Sequence, residues 1–133
     1  MRIKVGITRF IVTAMGILLL LPSLSAQEER EYIRKGNRLY KKSEFAGSEG
    51  MYRRAQDQER STEDAGFNLG DALYKQGRYG EASDEFVRSA VAGETDTVRQ
   101  AQSLYNLGNS LIKEQKYEEG IMAYINSLKL DPD

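Results

Sequence analysis

Asparagine, aromatic and lysine side chains return at matched intervals along this chain. Asn37, Asp71 and Asn109 form one series, Ile33, Phe67 and Tyr105 a second, and Arg34, Asn68 and Asn106 a third. Tyr40-Lys41, Tyr74-Lys75 and Ile112-Lys113 complete the set. A carboxamide carries both a donor and an acceptor, so it can pair with a peptide backbone whatever the peptide's sequence. Tyr and Phe supply contact area at modest entropic cost. The chemistry open to such residues is reversible recognition of polypeptide. At any single position there is a plainer reading, in which asparagine bridges neighbouring helices and lysine is solvated. The basic run Arg34, Lys35, Arg38, Lys41 and Lys42 reads first as a solvated face, with an acidic-ligand site as the alternative.

Bond-making chemistry finds little support. The sequence has no His and no Cys, which removes the Ser-His-Asp, Cys-His and common zinc constellations. Glu118 and Glu119 stand at the start of a helix, where solvated acids are favourable. Paired-carboxylate catalysis needs a shaped pocket that these acids do not supply. No glycine-rich run resembles a phosphate loop. No catalytic residue, metal or cofactor is expected. Residues 27–133 carry 16 Lys and Arg against 20 Asp and Glu, and the balance runs from mildly basic before residue 60 to acidic after it. That is not the dominant basic footprint of a nucleic-acid binder. Without cysteine there is no disulfide framework, so stability must come from packing.

Residues 1–26 read as a segment apart. Arg2, Lys4 and Arg9 precede the apolar run Phe10 to Leu21, and "PSLSA" follows with small residues. This is the layout of a cleaved secretory signal peptide. The apolar run is short for a membrane span, which needs roughly 20 residues; an uncleaved anchor is the alternative. The expected product begins near Gln27, exported to the periplasm or held at a membrane, with residues 27–133 as one domain.

Glycines set the register of that domain. Aligning Gly36, Gly70 and Gly108 superposes "EREYIRKGNRLYKKSEFAGSEGMYRRAQDQER", "EDAGFNLGDALYKQGRYGEASDEFVRSAVAGE" and "AQSLYNLGNSLIKEQKYEEGIMAYINSLKLDP". The first two glycines are 34 residues apart and the next two 38, so four residues are inserted around "GETDTVRQ". Each unit reads as two amphipathic helices, predicted near 28–42, 44–58, 62–76, 79–92, 97–114 and 117–130. Gly108 with Gly120, Gly70 with Ala82, and Gly36 with Ser48 should lie where the helices cross. Phe45, Tyr79 and Tyr117 should wedge each second helix against the first. "STED" at 61–64 and Thr97 with Gln100 read as helix-starting capping boxes, and Pro132 ends the last helix. Gly66 replaces a large apolar residue, leaving a gap for Phe67 to fill in part. A single hairpin cannot bury its own apolar face, so the copies must stack.

With Leu104, Leu107, Gly108, Leu111, Tyr117, Gly120, Tyr124, Ser127 and Pro132 in place, the chain resembles the tetratricopeptide repeat family. The resemblance implies an all-α, right-handed superhelical solenoid of three units, about 29–62, 63–96 and 97–133. It also implies a concave groove, lined by the first helix of each unit, that binds a protein or peptide segment. The residues named at the outset would line it: Ile33, Arg34, Asn37, Tyr40, Lys41, Phe67, Asn68, Asp71, Tyr74, Lys75, Tyr105, Asn106, Asn109 and Lys113. Asn37 and Asn68 match the amides of the family's chaperone-binding carboxylate clamp. Its basic places hold Ile33, Gln102 and Asn106, so no such clamp is expected. Tyr124, Leu128 and Leu130 would have an uncovered side, which implies a longer array or self-assembly into a homo-oligomer through that face. More narrowly, the first unit resembles the tetratricopeptide protein of the Bacteroidetes aerotolerance (Bat) operon, which would imply von Willebrand A-type membrane proteins as partners.

Overall fold

The computed structural model describes residue 24 and residues 26–58, 63–93 and 96–132. The leader proposed for residues 1–26 lies almost wholly outside them, as does the first half of the "STED" box. Among the described residues there are six helices and no strand: α1 over 26–41, α2 Phe45–Gln56, α3 Glu63–Lys75, α4 Tyr79–Ala92, α5 Thr97–Lys113 and α6 Tyr117–Leu130. All six expected helices are present, with limits shifted by at most two residues. None of them is long and apolar enough to cross a membrane.

Three tight turns close the hairpins, and they share one geometry. Ser43, Gly77 and Gln115 adopt φ of 61°, 76° and 65°. In each, the next amide reaches back to the last turn of the first helix: Glu44 N to Leu39 O, Arg78 N to Leu73 O, and Lys116 N to Leu111 O, at 2.9–3.0 Å. This is the Schellman arrangement, which satisfies carbonyls that the helix end leaves open. Only the second turn uses glycine for the left-handed residue; serine and glutamine hold the same conformation with a Cβ.

Glycine serves packing at the helix crossings. A Cβ on Gly36 would stand 2.4 Å from the Tyr52 ring, one on Gly70 2.7 Å from Phe86, and one on Gly108 2.5 Å from Tyr124. Each first helix therefore presents bare backbone to an aromatic ring on its partner, 16 residues on. Gly120 completes the close approach in the third unit, its missing Cβ lying 3.3 Å from Gly108 O. The core is centred on the second unit, where Tyr52, Leu69, Ala72, Leu73, Ala82 and Phe86 are buried together. A glycine in a helix costs about 1 kcal/mol relative to alanine, and these contacts give the reason for keeping it.

Successive hairpins pack through neighbours: α2 on α3, α4 on α5, with α3 also touching α5. Polar pairs mark each seam at equivalent positions. Gln76 Nε2 donates to Glu49 Oε2 at 2.9 Å across the first, and Ser83 Oγ donates to Glu114 Oε1 at 2.8 Å across the second. Donor and acceptor have changed sides between the two. Arg78 adds an ion pair to Glu49 at 2.7 Å. Deeper in the second seam, Ser89 and Ser103 hydroxyls meet at 3.0 Å. Inside the third hairpin, Ser127 Oγ donates to Ala101 O at 2.7 Å.

Several local expectations need correction. The N-cap of α5 is Asp96, whose side chain accepts from Arg99 N, so the cap sits one residue before Thr97. A Cβ on Gly66 would meet Gln56 of α2 at 3.5 Å and Ser89 of α4 at 3.9 Å, which is ordinary contact, and the Phe67 ring packs on Phe86. Phe45 and Tyr79 do wedge edge-on against Tyr40 and Tyr74, each at 5.2 Å. Tyr117 does not. The place of Tyr40 and Tyr74 is taken by Ile112 in the third unit, and Tyr117 is 57% exposed.

Candidate functional site

The three first helices, α1, α3 and α5, lie side by side and carry the recurrent asparagine and aromatic positions. A hollow of about 190 Å³ opens between α1 and α3, lined by Asn37, Tyr40 and Lys41 from α1, Asn68 and Asp71 from α3, and Tyr52 from α2. That is well beyond the ~10–15 Å³ that admits one water. Five of its six lining residues belong to the series read from the sequence. The sixth, Tyr52, was not among them, although its 15-residue offset from Asn37 recurs between Asn109 and Tyr124 and could have signalled it.

Those offsets are hydrogen bonds. Tyr52 Oη donates to Asn37 Oδ1 at 2.7 Å, and Tyr124 Oη donates to Asn109 Oδ1 at 2.8 Å. Each tyrosine ties its second helix to the first and holds the carboxamide in place. Burial, with Tyr40 and Asp71 nearby, pushes the Tyr52 hydroxyl up to about 12, so it remains a donor at neutral pH. In the second unit the pair reads Asp71 and Phe86, and phenylalanine has no hydroxyl. Asp71 instead accepts from Asn106 Nδ2 of α5 at 3.1 Å. Burial raises the Asp71 carboxyl to about 6, against the opposing pull of Lys75 and Arg99. Asn68 makes no hydrogen bond among the described residues, so its donor and acceptor face the hollow unspent.

The remaining expected residues are dispersed. Phe67 and Tyr74 pack against the core rather than forming an open stripe; Phe67 meets Phe86 edge-on at 5.9 Å, and the Arg99 guanidinium lies over its ring at 4.8 Å. Tyr105 is 55% exposed and its ring stands 5.4 Å from that of Tyr124. Ile33 is half-buried, and Lys75 and Lys113 are exposed. Arg34 does not reach the hollow between α1 and α3. It lines a separate one along α1 with Leu24, Gln27, Glu28, Arg30 and Glu31. Asn106 joins the site only through Asp71, and Asn109 is held by Tyr124. Among the described residues no three acidic side chains gather as metal ligands would.

Comparison with known proteins decides the family. A model of the tetratricopeptide repeat matches residues 33–97, and a second matches residues 101–133. This chain belongs to the tetratricopeptide repeat family. Its tetratricopeptide solenoid is similar to the N-terminal domain of stress-induced protein-1 (STI-1) from C. elegans, with a TM-score of 0.77 at 17% identity over 82% of this chain and 88% of that one. It is likewise similar to the first tetratricopeptide domain of Spaghetti (RPAP3), solved bound to the HSP90 peptide SRMEEVD. There the TM-score is 0.73 at 19% identity, over 80% of this chain and 82% of that one. At these identities the likeness is one of fold. No curated protein matches the sequence. Asn106, expected at one of the clamp's basic places, is turned toward Asp71.

Proposed function

We propose that this tetratricopeptide chain is a non-catalytic interaction module that holds an extended segment of a partner protein along α1, α3 and α5. The observation that carries the reading is the hollow between α1 and α3, where the unspent carboxamide of Asn68 faces Asn37, Asp71 and two tyrosines. An amide with both functions free pairs with a strand-like backbone in either direction. The similarity to a tetratricopeptide domain solved with a peptide supports this use of the groove. The missing clamp cations argue against a ligand anchored by a free C-terminal carboxylate. Residues 1–26 support an exported location, and the resemblance of the first unit to the Bat operon protein makes von Willebrand A-type membrane proteins the first candidates to try. Capture from the native envelope with mass spectrometry identifies the segment, and titration of that segment then tests the groove. Asn68→Ala with Tyr105→Ala is expected to abolish binding while helicity is unchanged; retained affinity in this variant refutes the groove.

A second reading, self-assembly, has its own observation. Ile121, Met122 and Leu128 on α6 are 53%, 54% and 61% exposed. Ile121 and Leu128 occupy the places of Ser83 and Ala90, which α5 covers in the preceding unit. Sedimentation of the wild type beside Ile121→Glu/Leu128→Glu separates the readings. A dimer dissolved by these changes favours assembly, and a monomer throughout removes it.

A further inference from the structure

The second unit breaks the pattern of the other two, and the break has a chemical meaning. In the first and third units the ninth position is a neutral asparagine that accepts a tyrosine hydroxyl. In the second, the acceptor is a carboxylate and the tyrosine is Phe86, so the charge has lost the donor its counterparts have. Asn106 gives Asp71 one hydrogen bond, whereas an ionised carboxylate offers about four lone-pair sites. Among the described residues Asp71 forms no ion pair.

Every charged or titratable group facing it can be accounted for. Lys75 lies on its own helix and is exposed. Arg99, on α5, is engaged by Asp64 and stacked over Phe67. Tyr40 and Lys41 on α1 and Tyr52 on α2 share the hollow, Lys41 at its exposed rim. The result is a partly buried, incompletely satisfied anion lining a hollow whose other walls are phenolic and amide, with the Lys41 ammonium at the exposed rim. A neutral donor would leave that charge uncompensated, and an acidic side chain would be repelled. A cation forms a charge-assisted bond and gains from the neighbouring aromatic rings.

We infer that this hollow receives the side chain of a lysine or arginine from the bound segment, with Asp71 as its counter-charge. The inference rests on the groove reading above and specifies its ligand: an extended segment with a basic residue over the first and second units.

The test uses N-acetylated, C-amidated heptapeptide pools with a fixed central Lys, Arg, norleucine or Glu, titrated against the full chain by fluorescence polarisation. At pH 7.5 the Lys and Arg pools are expected to bind roughly tenfold tighter than the other two, as a charge-assisted bond implies. At pH 5 the advantage falls roughly tenfold, because a carboxyl titrating near 6 is then mostly protonated. Asp71→Asn removes both the preference and its pH dependence, whereas Asp84→Asn, on the exposed face of α4, leaves them intact. Nuclear magnetic resonance titration of the wild-type Asp71 carboxyl gives a reading independent of any variant: saturation with the Lys pool lowers its pKa. Equal binding of the Lys and norleucine pools overturns the inference and leaves the groove standing. Equal loss in Asp71→Asn and Asp84→Asn, or an unmoved Asp71 titration, overturns it too. Failure of every pool to bind removes the groove reading itself.

Discussion

Asp71→Asn is expected to stabilise the protein while it damages the site. The fold raises the carboxyl from 3.8 to about 6, and each pKa unit is worth 1.36 kcal/mol, so the difference comes to about 3 kcal/mol. Because the folded pKa lies above the unfolded one, the stability tied to the proton is fully present below pH 3.8. It is lost as pH rises through about 6. At pH 7.5 the wild type has given up all of it. Asparagine keeps the oxygen that accepts from Asn106 and carries no charge to desolvate. Urea unfolding followed by circular dichroism at pH 4, 5, 6 and 7.5 measures the gap directly. The variant should gain up to about 3 kcal/mol at pH 7.5, and the gain should vanish toward pH 4. A variant no more stable than wild type at pH 7.5, or a difference independent of pH, refutes the assignment of an uncompensated charge to this position. Stability gained together with binding lost is the pattern of a residue retained for its ligand.

Three further outcomes follow from the same geometry. Phe86→Tyr offers Asp71 the hydroxyl that Tyr52 and Tyr124 give their partners, and a bond to a charged acceptor should add about 1.5–3 kcal/mol at pH 7.5 in urea unfolding. Gly108→Ala drives a methyl into the Tyr124 ring, and the lost close approach should cost about 1–3 kcal/mol despite the helix preference of alanine; a more stable variant would show that the crossing is not tight. Gln115→Gly relieves a left-handed turn residue at φ 65° and should raise stability by about 1 kcal/mol, measurable as a higher urea midpoint.

The parts of the fold legible in the sequence are those that one residue type can fulfil alone. A glycine that must face a ring tolerates no side chain, so Gly36, Gly70 and Gly108 mark the register in the sequence itself. Helix limits followed from the same spacing, because Ser43, Gly77 and Gln115 sit in equivalent turns whether or not the residue is glycine. What escaped the sequence depends on which side chains meet across elements. Tyr52 belongs to none of the recurrent series, and its hydroxyl, reaching Asn37 across the hairpin, makes it a wall of the hollow. Phe67 looked like groove, yet the ring opposite it is Phe86 and it turns inward. Arg34 lies one turn before Asn37 on α1 and lines a separate hollow toward the helix start. The seam contacts were invisible for a related reason: Glu49 and Ser83 are chemically unlike, and their equivalence appears only when the next hairpin is seen against them.

That reversal of polarity at the two seams gives the units an address. Gln76 offers Glu49 an amide donor, while Glu114 at the corresponding place offers only acceptors and takes the Ser83 hydroxyl. Excising residues 63–96 would set Glu49 against Glu114, acid facing acid, although the backbones of the outer hairpins could still stack. The copies are thus alike in shape but not interchangeable in sequence order. An array shortened or reordered in this way meets an electrostatic mismatch at the join.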